Sequence, residues 1–269
     1  MRKALITLGM ALLLTGSLVQ AQEVITFSTA PTHSREDTAR IYGPLMTYLN
    51  QVTGKRFELD PAANFIEYST RMRLDRYDML FDGPHLSGWR IDMRNHEALA
   101  RLPGQIRFVL VGQENSPLQS MHELEHGVIR VCAFASPNML TLAFLSYYPN
   151  PARQPVMLRV QGFNELEQCV RSGRGDVAVM RDGQWNNMNQ QGLRVIDTQR
   201  EAYPERTFTI SRSVDSAVRE QIRQALLSEE GKAALAPILE TFSRDRLIPA
   251  DNTDYRGLGA LLVPVWGFH

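Results

Sequence analysis

"ENSPLQSMHELEHGVIRVCAFASPNMLTLAFL", residues 114–145, contains two competing instructions. His122, Glu123 and His126 spell H-E-x-x-H. On a helix that spacing puts two imidazoles on one face, able to hold zinc with the glutamate as general base. The surroundings oppose that reading. Ser120 and Glu123 form a capping-box pattern that opens a helix, and Gly127 stops it directly after His126. The helix is therefore barely two turns. Both histidines fall near its C-terminal end, where cationic side chains suit the dipole. No third ligand pattern lies downstream. The motif reads as a short surface linker between strands, with a zinc hydrolase kept only as a lesser alternative. The linker leads into an apolar strand, "GVIRVCAFA", and then a helix, "SPNMLTLAFLSYY".

On both sides of this stretch the same strand–helix alternation recurs. Upstream, "EVITFSTA", "KRFELDPA", "DMLFDG" and "IRFVLVGQ" read as strands. "SREDTARIYGPLMTYLNQVTG" reads as a helix capped by Ser34 and stopped by Gly54, with an apolar stripe at Ile41, Leu45, Tyr48 and Leu49. "NFIEYSTRMRLDRY" and "HLSGWRIDM" are further helices. Downstream, "PVMLRVQG", "GDVAVMRDG" and "FTISRS" are strands, "FNELEQCVRSG" is a helix, and "DSAVREQIRQALL" and "EGKAALAPILETF" close the chain as helices. Strands separated by helices imply parallel sheets covered on both faces, in two α/β lobes. Ligands in such folds bind beyond the carboxyl ends of the strands. That singles out Thr32 and His33, Asp82 to His85, Ser136 to Thr141, Gln161 to Asn164, and Met180 to Gln184.

Composition sets the outer bounds. The 269 residues carry 29 basic and 29 acidic side chains, so the formal net charge is zero. Nothing in that balance calls for nucleic acid or an anionic membrane. Arg2 and Lys3 precede the apolar run "ALITLGMALLLTG", and Val19 and Ala21 suit the −3 and −1 positions of a signal-peptide site. Residues 1–21 are therefore expected to be a signal peptide cleaved after Ala21, placing the protein in the periplasm. Two cysteines remain, Cys132 and Cys169. A disulfide and two separately buried thiols both fit.

Several stretches resemble one family, the periplasmic phosphate/phosphonate-type solute-binding proteins of ABC transporters, within the type II periplasmic binding proteins. "TFSTAPTHSREDTARIYGPLMTYLNQVTGKRFEL" resembles its opening strand, turn, helix and second strand. "RYDMLFDGPHLSG", "ENSPLQSMHELEHG", "RSGRGDVAVM" and "LIPADNTDYRGL" resemble later segments in the family's order. The resemblance implies a two-lobed type II periplasmic binding protein fold: two mixed sheets flanked by helices and joined by two crossing strands. It places the first lobe at 22–112 plus 209–269 and the second at 113–208, with "RFVLVGQ" and "TFTISRS" as the crossings. It implies a monomeric, non-enzymatic protein without cofactor. Such a protein would bind a small molecule and pass it to an ABC transporter permease; a sensor kinase is the alternative partner.

Three departures bear on the ligand. The family's helix after the fifth strand opens on a serine- and threonine-rich turn that holds an oxyanion. Here the turn is Ser136-Pro137-Asn138-Met139-Leu140-Thr141-Leu142, with few hydroxyls left. Asp82 stands where an aromatic is usual, and a carboxylate in the cleft would repel a phosphonate. "MRDG", Met180 to Gly183, replaces polar residues, and Arg181 is free to restore positive charge or to pair with Asp82 or Asp182. The candidate ligand-binding residues are thus His33, Asp82, His85, Ser136, Asn138, Thr141, Gln161, Arg181, Asp182 and Tyr203. No resident metal is expected, although His33, Asp82 and His85 have the donor atoms for one. Trp89 could stack on a ligand, but a helical tryptophan more often belongs to the core.

Overall fold

The computed structural model describes residues 24–125, 128–135, 137–265 and 267–268. The expected signal peptide lies outside these residues. No described helix is long and apolar enough to cross a membrane.

The chain opens with β1 (Val24–Ser28), α1 (Arg35–Thr53), β2 (Arg56–Leu59), α2 (Phe65–Arg73), β3 (Met79–Asp82), α3 (Pro84–Met93) and β4 (His96–Arg101). Short β5 (Gln105–Ile106) leads to β6 (Phe108–Gln113), β7 (Arg130–Phe134), α4 (Met139–Leu145), β8 (Val156–Val160) and α5 (Phe163–Arg171). Then come β9 (Val177–Arg181), α6 (Asp182–Asn187), β10 (Leu193–Thr198), β11 (Tyr203–Pro204) and β12 (Thr207–Ser211). The chain finishes with α7 (Ser216–Leu227), α8 (Lys232–Thr241) and β13 (Ile248–Pro249).

Local chemistry explains the boundaries. In α1 the Ser34 hydroxyl accepts from the Asp37 amide, and Gly54 ends the helix at φ 67° while its N–H bonds to Asn50. Only glycine takes that left-handed cap without steric cost. Ile41, Leu45 and Leu49 are buried as the stripe requires, and Tyr48 packs against the same core.

Two sheets form. The six-stranded sheet has the order β13-β4-β12-β3-β1-β2, and the five-stranded sheet β10-β6-β9-β7-β8. Both are mixed rather than parallel. β1 runs parallel to β2 and β3, but β12 is antiparallel to β3 and β4. β7 runs parallel to β8 and β9, but β6 is antiparallel to β9 and β10. β6 and β12 are the strands by which the chain enters each sheet after passing from the other. The strand β4, "HEALAR", was not expected from the sequence; its alternation is interrupted by charged residues.

The crossings also differ from expectation. β6 is buried almost throughout and hydrogen-bonded on both sides within the five-stranded sheet. β12 is likewise buried inside the six-stranded sheet. A strand apolar on both faces, as β6 is, belongs in a covered sheet interior, and β12 buries Thr207, Thr209 and Ser211 as well as Phe208 and Ile210 within its own sheet. The chain instead passes between the sheets at β5 and β11, which pair antiparallel through Tyr203–Ile106 and Pro204–Gln105. The expected boundary at residue 112 therefore falls within the five-stranded sheet.

The Cys132–Cys169 disulfide ties β7 to α5 and closes a span of 37 residues. A cross-link over a loop of that size stabilises by roughly 2–4 kcal/mol, mainly by restricting the unfolded chain. Gly175 makes room for it: a Cβ there would stand 2.1 Å from the Cys132 sulfur. α3 packs backbone-to-backbone against residues 255–259, where a Cβ on Gly88 would meet the Tyr255 carbonyl at 2.3 Å. Trp89 is core, its ring set edge-on to Phe268.

Candidate functional site between the sheets

The loops after β1 and β3 on one side meet the loop and helix after β7 on the other, through the His85–Pro137 contact and the packing of Leu142 against Ala30 and Leu86. On the first side Asp82 ends β3 with no exposed surface. Its carboxylate accepts from Arg90 Nη1 at 2.7 Å, from the Tyr68 hydroxyl and from the Ala30 amide at 2.9 Å. Arg90, equally buried, also donates to Thr209 Oγ1 at 2.9 and 3.0 Å. This changes the expected role of Asp82. It does not stand in the cleft repelling anions, and it does not pair with Arg181. Its charge is neutralised beneath the site, where it pins the loop that carries His33. With Asp82 so committed, His33, Asp82 and His85 do not form a metal site. The described residues hold no cluster of three or more His, Cys, Asp or Glu suited to a metal.

His85 begins the first turn of α3 and is 5% exposed. Its Nε2 lies 3.0 Å from the carbonyl of Pro137, which belongs to the loop ahead of α4 on the other side. A carbonyl can only accept, so Nε2 carries the proton. Nδ1 is buried without a partner among the described residues. Burial, with a contribution from the Arg206 charge, pulls the His85 pKa down to about 4, against the raising effect of the Pro137 bond. The ring is neutral at pH 7. His33, partly buried, is also lowered, first by desolvation and then by Arg206.

On the second side Asn138 caps α4, accepting from the amides of Leu140 at 3.0 Å and Thr141 at 3.4 Å. The Thr141 hydroxyl donates to the Phe134 carbonyl at 2.8 Å, back into β7. Met139, Leu140 and Leu142 are buried, and Leu142 joins the cluster formed by Ala30, Tyr68, Leu86 and Leu262 of the first side. The first turn of α4 thus serves as an apolar contact between the two halves. Ser136 lies outside the described residues. Gln161 is exposed at the end of β8, its amide donating to Glu165 at 2.9 Å.

Arg181 ends β9 and Asp182 begins α6. Arg181 is not free for a ligand: it pairs with Glu205, whose carboxylate also holds Arg244 at 2.7 Å. Glu205 sits on the second crossing, and its carbonyl accepts from the Tyr255 hydroxyl at 2.9 Å. Asp182 accepts from its neighbour Gly183 at 2.7 Å. Tyr203 is half-buried in β11, its phenol pKa raised chiefly by burial. His85 thus reaches across to the loop that Asn138 closes, Thr141 and Asn138 serve the start of α4, and Arg181 and Tyr203 stand at the crossings. Sequence reasoning missed Glu205 and Arg206, whose only signal was a Glu-Arg pair directly ahead of a β-branched strand.

The motif at 122–126 does not build a zinc helix. Met121–Leu124 is one 3-10 turn, Ser120 makes no side-chain cap, and the Glu123 carboxylate accepts from the Gln119 amide at 3.2 Å. His122 and Glu123 are exposed, and His126 lies outside the described residues.

Residues 27–255 match the family of periplasmic substrate-binding proteins of phosphonate ABC transporters. The chain belongs to that family. This substrate-binding protein is similar in fold to PhnD1 from Prochlorococcus marinus in complex with methylphosphonate. There the TM-score is 0.66 and the identity 15%, covering 90% of this chain and 98% of that one. It is also similar to XAC2383 from Xanthomonas citri bound to ATP, with a TM-score of 0.69 and 15% identity, covering 88% of this chain and 95% of that one. A binding-protein component of a phosphonate ABC transporter from Pseudomonas aeruginosa gives a TM-score of 0.59 at 16% identity, covering 87% and 83%. No curated protein sequence matches the chain. The two-lobed fold and the binding-protein family expected from the sequence are both found.

Proposed function

We propose that this protein captures a small phosphonate- or phosphate-like solute between its two sheets and delivers it to an ABC transporter permease, without catalysing a reaction. The observation that carries this reading is the His85–Pro137 hydrogen bond, made between the two halves at the ends of their strands. A ligand seated there touches both halves at once. Ligand contacts to both favour the closed arrangement by their differential affinity for it. The lobes are taken as 24–104 with 206–268, and 107–202, turning about the β5–β11 pair. Two similar structures hold methylphosphonate and ATP, both of which carry tetrahedral phosphorus oxyanions. Their ligands support the same class here. Export by residues 1–21 predicts that the periplasmic protein begins at Gln22.

Native mass spectrometry of protein purified from periplasm, followed by calorimetric titration with methylphosphonate, inorganic phosphate and methanesulfonate, tests the reading. Binding of an oxyanion with a fall in the radius of gyration supports it. Absence of both a co-purified mass and any titration heat would overturn it.

A further inference from the structure

Arg206 differs from the other cations near the junction. Arg181 and Arg244 share Glu205, and Arg90 holds Asp82. Arg107, on the other crossing, is exposed. Arg206 is partly buried and its guanidinium lies over the Phe242 ring, 5.0 Å from the centroid. Among the described residues that guanidinium has no carboxylate or hydrogen-bond partner. Stacking fixes its plane and leaves the N–H edge available, the geometry that grips an oxyanion through two parallel bonds. Thr207 pairs with Asp82 in the register of β12 and β3, so Arg206, one residue earlier, lies beside the end of β3 that leads into His85; its charge also acts on His33, Tyr42 and His85.

His85 supplies the complementary group. Because Nε2 donates to Pro137, Nδ1 presents a lone pair and can only accept. That atom is buried and, among the described residues, has no partner. A Cβ on residue 83 would stand 3.3 Å from it, so Gly83 leaves the space beside Nδ1 open. A buried acceptor in such a position calls for a donor from the ligand.

We infer that the site selects a singly protonated phosphonate or phosphate, its charged oxygens on Arg206 and its P–OH donated to His85 Nδ1. A sulfonate offers the same tetrahedral oxygens but no proton at neutral pH, and would leave Nδ1 facing a lone pair. The inference rests on the proposed capture of an oxyanion and specifies which one. It also explains how the chain manages without the hydroxyls missing from the α4 turn.

The test is calorimetric titration of the mature protein at pH 7 with methylphosphonate, inorganic phosphate and methanesulfonate. The same titrations are repeated on Arg206→Gln and His85→Gln. A glutamine at 85 can keep a donor near Pro137 while removing the Nδ1 acceptor. The wild type should prefer methylphosphonate over methanesulfonate by about 10–100-fold, the worth of one unsatisfied buried acceptor. His85→Gln should lose most of that preference through weaker methylphosphonate binding. Arg206→Gln should weaken every bound oxyanion by at least about tenfold, the scale of a charge-assisted bond, with an unchanged melting temperature as the sign that the fold is intact. Equal affinity of the wild type for both methyl compounds overturns the selection while leaving capture standing. Full methylphosphonate affinity in Arg206→Gln removes the arginine from the site. A wild type that binds none of the three probes overturns the inference, and overturns the capture reading with it when native mass spectrometry also finds no co-purified mass.

Discussion

Asp82 and Glu205 are both carboxylates almost wholly withdrawn from water and both are held by arginine, yet they occupy opposite kinds of place. Asp82 and Arg90 come from consecutive elements of one half, β3 and α3, and neither has any exposed side-chain surface. Glu205 joins Arg181 from one half to Arg244 from the other, and those two arginines keep 29% and 27% of their side-chain surface. The difference lies in what happens when a partner is removed. A charge stranded where water cannot reach is penalised severely, whereas an arginine at an edge can turn outward and be hydrated. The first pair fixes the shape of one half; the second cluster ties the halves together at a place where small movements cost less.

Arg90→Met puts this contrast under the greatest load. Stranding Asp82 should cost about 3–5 kcal/mol in urea unfolding. The double variant Asp82→Leu with Arg90→Met should recover much of that loss, because no charge is then left behind. Failure of the double variant to recover would mean that the hydrogen bonds to Ala30 and Thr209 matter more than the charge.

Next in size is the pH response of His85. Its pKa is about 4 in the folded protein against 6.5 for an unperturbed histidine. Between those values the unfolded chain binds the extra proton, so stability rises with pH across that window. The contribution is complete above pH 6.5 and falls away as the pH drops toward 4; the loss at pH 4.5 relative to pH 7 is about 2–3 kcal/mol. Unfolding curves at pH 7 and 4.5 for the wild type and His85→Gln isolate it; equal losses in the two proteins would exclude His85 as the source. Glu205→Gln should cost less, about 1–2 kcal/mol, since both freed arginines reach solvent. A loss as large as that of Arg90→Met would erase the distinction between the two clusters. Smallest of all, His122→Ala on its exposed turn should change stability by no more than about 0.5 kcal/mol. It should also leave zinc affinity, measured by titration, unaltered.

Much of the fold could be read in advance because its signals are local. The Ser34 cap, the α1 stripe, the Gly54 stop and the apolar runs of β1, β3, β7 and β9 depend only on neighbours within a turn or a strand. β4 escaped notice because His96, Glu97 and Arg101 interrupt its pattern, and two of them meet partners distant in the chain: His96 pairs with Asp75 at 3.0 Å and Glu97 with Arg212 at 3.4 Å, while Arg101 donates to the nearby carbonyls of Leu102 and Gly104. The zinc-like motif misled for the converse reason. Its spacing has meaning only on a sustained helix, and the chain provides a single turn.

The elements, the two α/β halves and the family were written in the order of residues alone, since hydrophobic period, caps and segment order are properties of the chain. That order also set His33, His85, Asn138 and Thr141 just after strands, and the topology brings His85 against the loop ahead of Asn138. How the charges are used was settled by packing. Asp82, Arg181 and Arg206 look equally available in one dimension. Only folding brings Arg90 onto the first and Glu205 onto the second, and leaves the third stacked on Phe242. Which charge remains for a ligand is set by pairings between side chains of separate elements, and those pairings exist only once the elements have packed.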